Sequence, residues 1–354
     1  MSVQAASPPL PFVTAALPGS GGRLKVTPED FRVEELPAYL PSGAGPHLYL
    51  QVEKRDRTTR DAVRHLARAL GCGERDAGYA GLKDRAAVTT QWLSFPVARD
   101  PDPASLAAEG LRVLQASRHQ NKLRPGHARG NAFTVVVRGG DVARARACAA
   151  ALGASGLPNF FGPQRFGRDG GNAALGRALL SPTPSEEARR AARDRFLKRF
   201  ALSALQAALF NRWLAERLAD GLFAAALAGD VLKKLDSGGL FLCEDPGVDG
   251  ARVAAFEVSP AGPMFGHKLK AAGGEPAARE ARLLLAEGLA LADFERGGGE
   301  AEGTRRAARL RVAPALDERS DGYQARFELP RGSYATVVMR ELMKDEAELP
   351  DDGE

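Results

Sequence analysis

The sequence predicts an α+β fold with a mainly antiparallel sheet, interrupted by a helix-rich insert. Three observations predict it. Short alternating or β-branched runs fill both ends of the 354-residue chain, a helical block fills the middle, and a glycine-rich stretch separates the first two. The length is comfortable for two domains. An insertion within one domain explains strands, then helices, then strands again better than two tandem domains do.

The first 22 residues, rich in Pro, Ala, Gly and Ser, are expected as a loose arm. Residues 24–36 read as strand pieces broken at Pro28. Residues 47–53 (HLYLQVE) alternate, with Leu48, Leu50 and Val52 on one side of a half-buried strand. Residues 58–70 form a helix: a Thr starts it, Val63, Leu66, Ala67 and Leu70 share a face, and Gly71 ends it. A glycine-containing turn over 78–90 leads to a strand at 91–97. Further strands are expected at 111–117 and 131–138, and Asp141 caps a helix to about Leu152. Residues 153–176 hold seven Gly and two Pro and mark a boundary. Residues 185–227 read as mostly helical. Strands are expected at 230–242 and 253–258, a helix over 276–289, and a Gly-rich linker at 297–303. Strand patterns return at 308–312 and 323–329, and Ser333 is placed to cap a final helix.

The chain carries 49 Lys and Arg against 44 Asp and Glu, a net charge of +5. Six of those acids lie in the last ten residues, which contain no Lys or Arg, so 38 acids remain in the body. A basic body suits a polyanion, because cations at phosphates release counterions; a solubilising surface is the alternative. Three cysteines without a CxxC pair argue against a disulfide framework or zinc site and for a reducing compartment. No apolar run is long enough to span a membrane, and no basic leader precedes Arg23. The cytoplasm is therefore expected. Phosphate-loop, HExxH and EF-hand motifs are absent, Gly19, Gly21 and Gly22 lack a strand–turn–helix setting, and the five histidines are scattered. Chemistry by a carboxylate without a metal is what remains.

Five segments carry candidate chemistry. GYAGLKDRAAVTTQ over 78–91 sets Asp84 between Lys83 and Arg85, cations expected to keep the carboxylate ionised. An ionised Asp on a rigid turn can act at an electron-poor sugar carbon; a surface salt bridge is the plainer reading. RHQNKLRPGHARGNAF over 118–133 crowds Arg118, Lys122, Arg124 and Arg129 around Gly and Pro, as a loop tracking phosphates does, with Phe133 placed to stack or to fill a core. PNFFGPQRFGRDGGN over 158–172 interleaves three Phe with Arg165 and Arg168, suiting nucleic-acid contact or a hinge equally. KVTPEDFRVEE over 25–35 joins a Lys, acids and an exposed-looking Phe31. RFELPRGSYATVVMREL over 326–342 ends a strand at Phe327 and starts a helix.

In this order the segments resemble the TruD family of tRNA pseudouridine synthases. The matching pieces are GYAGLKDRAAVTTQW, NKLRPGHARGNAF, PNFFGPQRFGRDGGN and LPRGSYATVVMREL. The resemblance implies a pseudouridine-synthase catalytic domain over 23–157 and 304–344, interrupted by an inserted α/β TRUD domain over 158–303. Residues 345–354 are left as an acidic tail. It implies Asp84 as the catalytic carboxylate, with Lys83 helping to hold it ionised. Lys25, Phe31, Asn131, Phe133 and Phe327 fall on the family's substrate positions, and Lys122, Arg124, Arg129 and Arg165 would hold RNA. The resemblance places neither the first twenty or so residues nor the acidic tail, and it extends only weakly over residues 245–303.

The implied reaction is isomerisation of uridine to pseudouridine in tRNA, at position 13 of the D arm, after base flipping. No group leaves and nothing is oxidised, so no cofactor or metal is expected, nor an obligate protein partner. The first rival is a non-catalytic RNA-binding or chaperone protein on the same scaffold. The second is a carboxylate-dependent glycosidase, which would need a second acid. The third is a protein-binding role for the Arg- and Ala-rich helix within 188–218.

Overall fold

A computed structural model of the chain describes residues 9–167 and 170–345. The first part runs β1 (Phe31–Pro37), β2 (His47–Arg55), α1 (Thr59–Leu70), β3 (Gly78–Tyr79), β4 (Val88–Phe95), β5 (Leu111–His119), β6 (Ala128–Arg138) and α2 (Val142–Ser155). Then come β7 (Leu157–Pro158), α3 (Gly171–Leu180), α4 (Glu186–Ala191), α5 (Arg195–Ala219), β8 (Val231–Lys234), β9 (Leu240–Leu242), α6 (Pro246–Ala254), β10 (Val258–Met264) and α7 (Gly274–Ala286). The chain closes with β11 (Thr304–Ala307), β12 (Arg309–Leu310), β13 (Ala315–Arg319), β14 (Gly322–Pro330) and α8 (Ala335–Met343). The class is α+β.

These elements form two compact units. One takes in the described residues among 9–16 and 151–311. The other joins Leu17–Ala150 to residues 312–345.

The discontinuous unit is built on an eight-stranded sheet, ordered β13-β14-β6-β1-β4-β2-β5 with β3 beside β4. Every pairing is antiparallel except β1 with β4. Because side chains alternate along strands, the register assigns one face. It holds Leu48, Leu50, Val52 and Lys54 of β2, Thr89, Gln91 and Leu93 of β4, Phe31, Val33 and Glu35 of β1, Asn131, Phe133 and Val135 of β6, and Phe327 and Leu329 of β14. At one end this face packs on Ala62, Val63, Leu66 and Ala67 of α1, a dry core. That helix starts as expected: Thr58 accepts from Asp61 N, and Gly71 closes it in the left-handed conformation. Asp141 likewise accepts from Ala143 N and Arg144 N at 2.9 and 3.1 Å. Residues 1–8 and 346–354 lie outside the described residues. Ser20, within the expected loose arm, is tied down: its N–H donates to Leu342 O at 2.9 Å and its hydroxyl bonds Tyr323 Oη at 2.8 Å.

The other unit wraps the 25-residue α5 against a four-stranded sheet ordered β11-β10-β8-β9. Gly262 of β10 is required there, since a Cβ would lie 2.4 Å from the Trp213 ring. Buried charges are paired: Arg217 Nη2 with Asp230 Oδ2 at 2.6 Å, and Arg305 Nη1 with Glu280 Oε1 at 2.5 Å.

Several local expectations are corrected. Residues 253–258 are not one strand. Asp245 caps α6, accepting from Gly247 N at 2.8 Å, with Pro246 at the first helical position, and β10 begins only at Val258. β4 begins at Val88, where Val88, Thr89 and Thr90 extend it backward. The expected linker at 297–303 is largely 3-10 turn, with Gly297 and Ala301 buried and the chain kinked at Gly298. α8 starts after Tyr334, not under a Ser333 cap.

Candidate active site

Residues 80–87 join β3 to β4 without ladder bonds of their own, so buried side chains satisfy part of their backbone. Lys54 is fully buried and donates from Nζ to the carbonyls of Arg57, Lys83 and Asp84 at 2.7, 3.0 and 2.6 Å. Thr59 Oγ1 accepts from Lys83 N at 2.9 Å and donates to Gln91 Oε1 at 2.9 Å. Gln91 Nε2 in turn donates to Gly81 O at 3.2 Å. Glu35 accepts from Lys83 Nζ at 2.7 Å and from Trp92 N at 3.3 Å. Lys54, Thr59, Gln91 and Glu35 thus fix the path of this loop. None was a candidate from sequence, although Lys54 and Glu35 are charges at positions that alternate inward. That is the signal that could have marked them.

Asp84 projects from this loop with its side chain 33% exposed, and Lys25 Nζ lies 3.5 Å from its Oδ2. This corrects the expectation that Lys83 and Arg85 attend it. Lys83 turns inward to Glu35, and Arg85 Nε turns to Asp56 Oδ1 at 3.3 Å. The cation facing Asp84 comes from 59 positions earlier in the chain. Lys25 has φ 50°, a left-handed backbone uncommon for a residue other than Gly and typical of functional sites.

Lys25 Nζ also sits 4.4 Å from the Phe31 ring centroid. Phe31 meets Phe133 edge-on at 6.2 Å, and Phe133 stacks on Phe327 at 5.4 Å. The register explains the last contact, since Phe133 and Phe327 are direct partners across β6 and β14. Asp84, Lys25, Phe31, Phe133 and Phe327 are therefore one run of contacts, assembled from four segments. Phe31 is buried, contrary to its exposed-looking sequence setting, because it faces inward on β1. Asn131 lies opposite Glu35, and its Oδ1 is buried with no hydrogen-bond partner among the described residues. A buried acceptor in that state calls for a donor.

The basic candidates divide. Arg124 and Arg129 are exposed around the turn into β6, while Lys122 Nζ donates to Arg75 O at 2.9 Å. Arg165 belongs to the other unit, where it bonds Ser203 and lies 5.5 Å from the Phe200 ring. Three of the histidines are not scattered in space. His119 stacks on Tyr39 at 5.0 Å, His127 Nδ1 bonds Tyr39 Oη at 2.7 Å, and His47 pairs with His119 across β2 and β5. Burial, Lys122 and His119 together lower the His47 pKa. Among the described residues no helix is long and apolar enough to cross a membrane.

The family described as tRNA pseudouridine synthase D (TruD) matches residues 11–191 and 177–342. The chain is 76% identical over 345 residues to the tRNA pseudouridine synthase D of Anaeromyxobacter dehalogenans strain 2CP-1, covering 98% of this chain and 99% of that one. It is 44% identical over 343 residues to a tRNA pseudouridine synthase D of Thermus thermophilus, covering 95% and 93%. A solved structure of a Methanosarcina mazei protein described under the same name superposes with a TM-score of 0.73 at 24% identity, covering 95% of this chain and 96% of that one. That last likeness concerns the fold. Taken together, the matches place the chain in the tRNA pseudouridine synthase D family.

Proposed function

We propose that the chain isomerises uridine to pseudouridine in tRNA, at position 13 of the D arm, with Asp84 as the group that acts at the ribose. One observation carries the reading most: a partly exposed carboxylate on a braced loop, faced by Lys25 and set beside the Phe31, Phe133 and Phe327 rings. A non-catalytic RNA binder has no use for that brace. The target uridine leaves its stack to enter the site, at the cost of unstacking. Arg124 and Arg129, with Lys122 and Arg165, hold phosphates. The aromatic group receives the uracil face, and Asn131 Oδ1 accepts from its ring N–H.

Asp84 then acts as nucleophile at the anomeric carbon or takes a proton from the neighbouring carbon. The N-glycosidic bond breaks, the base turns, and carbon 5 bonds to the anomeric carbon. Loss of the proton on carbon 5 completes an isomerisation with no net gain or loss of atoms. Lys25 holds the carboxylate in place and supplies positive charge where the sugar reacts. Cys72, Cys148 and Cys243 form no disulfide among the described residues, which suits the reducing cytoplasm.

The test is base-resolved mapping of pseudouridine in unmodified tRNA, in chelator-containing buffer without added nucleotide. Product at position 13 alone supports the proposal. Product at another uridine would keep the reaction and overturn the position. Binding without product would leave the RNA-binding or chaperone reading in front.

A further inference from the structure

The helical unit presents an aromatic and arginine surface of which the reaction described above uses Arg165 alone. Phe196, in the first turn of α5, is 69% exposed. Its ring lies parallel to that of Phe200, at 6° and 6.1 Å, as residues four apart on one helix face can. The Arg165 guanidinium packs over Phe200 at 5.5 Å and bonds Ser203 Oγ. An Arg–Phe–Phe column thus ends in an open ring face at Phe196.

Arg195 and Arg199 stand beside it with side chains 91% and 77% exposed, both directed at the single carboxylate of Glu300, at 2.9 and 4.0 Å. One charge cannot neutralise two, so this edge stays positive. Residues 189–199 add Arg189, Arg193 and Lys198, and Arg190 paired with Glu186, against Asp194, whose carboxylate is engaged in capping α5. Next to the arginines lies a polar cavity of about 640 Å³, lined by Arg195, Arg199, Ser203, Gln206, Glu300 and Glu302, the last paired with Lys268 at 2.6 Å. A protein-binding patch would have a broader apolar centre depleted in charge. One exposed ring among cations, beside a polar cavity, is how single-stranded nucleic acid is held.

We propose that this face of the 151–311 unit is a second RNA-binding site, which takes an unpaired nucleotide of the same tRNA. Its base stacks on Phe196, and Arg195 and Arg199 take the adjoining phosphates. The identity of the RNA rests on the proposed function; the site itself does not need the reaction. Affinity of the full-length protein for unmodified tRNA is measured by filter binding across a salt titration, together with single-turnover rates at saturating RNA. Phe196→Ala weakens binding about tenfold with the saturated rate unchanged, and Phe196→Trp retains wild-type affinity while Phe196→Leu does not. The Arg195→Ala/Arg199→Ala pair lowers the salt slope by about 2. Leu285→Ala, at an exposed residue of α7, changes nothing.

Wild-type affinity and salt slope in these variants would overturn the site. So would full rescue by Leu, which would mark an apolar contact of the kind a protein partner makes. Because binding is read without turnover, Phe196-dependent binding in a protein that makes no pseudouridine would overturn the reaction and leave this site standing.

Discussion

Lys54 shares one ammonium among three carbonyls, two of them in the loop that carries Asp84. Lys54→Met keeps the stem and removes the donor, leaving those carbonyls without it. The predicted result is a single-turnover rate down about a hundredfold, as expected for a displaced reacting group, with tRNA affinity within about twofold. Equal loss of rate and affinity would mean the substitution unfolds the unit instead. Asp30 gives a second prediction at this scale. Burial acts to raise its pKa, but hydrogen bonds from Arg138 and the Thr27 N–H outweigh it and hold the carboxyl below its usual range. A depressed folded pKa contributes stability above the unfolded value of about 3.9, and that contribution is lost as pH falls through the lower folded value. Asp30→Asn is therefore expected to cost about 2 kcal/mol at pH 7. The deficit should shrink on acidification below about pH 4, read by urea unfolding across pH; a deficit constant down to pH 3 would contradict it. The motif made Asp84 the candidate carboxylate, but it did not reveal the cation that faces it. Adjacency in sequence pointed to Lys83 and Arg85, whereas Glu35 and Asp56 take those two cations and Lys25 faces Asp84.

Elements with strong local signals were legible and those set by tertiary fit were not. α1 has a Thr cap, an apolar face and a terminal Gly, and it forms where its pattern says. β13, with the exposed sequence ALDER, has no apolar alternation; it exists because it pairs with β14 at the sheet edge. α6 was misread because the pattern around Val253 gave no strong helical period, while Asp245 and Pro246 decided the matter. Close helix packing was equally hidden. Gly176 of α3 lies against α5, and a Cβ there would sit 2.2 Å from Ala201 O. Since that neighbour is backbone, the helices would have to part. Gly176→Ala is predicted to destabilise the helical unit by about 2 kcal/mol, within the usual cost of overpacking, despite the better helix propensity of Ala. A thermal scan showing no loss would contradict this packing.

At the scale of the molecule, the composition change near residues 153–176 and the return of strand patterns after 303 suggested an insert over 158–303, whereas the compact units change at 16/17, 150/151 and 311/312. The charge distribution was legible too, because it requires no fold. With the acids after Lys344 weighing against the basic body, removal of residues 346–354 is predicted to raise tRNA affinity about threefold at low salt, an effect that fades as screening increases. An unchanged affinity at low salt would show that the tail does not oppose RNA. What sequence could not give was the gathering of Asp84, Lys25 and three Phe rings from distant segments, since register across β1, β4, β6 and β14 decides it. The most direct test of that assembly as an active site is single-turnover pseudouridine formation on unmodified tRNA by the wild type and Asp84→Asn, with affinity measured on the same preparations. Product from the wild type alone, with tRNA affinity equal in both, is the predicted result. Product from Asp84→Asn at a comparable rate would remove Asp84 from the chemistry.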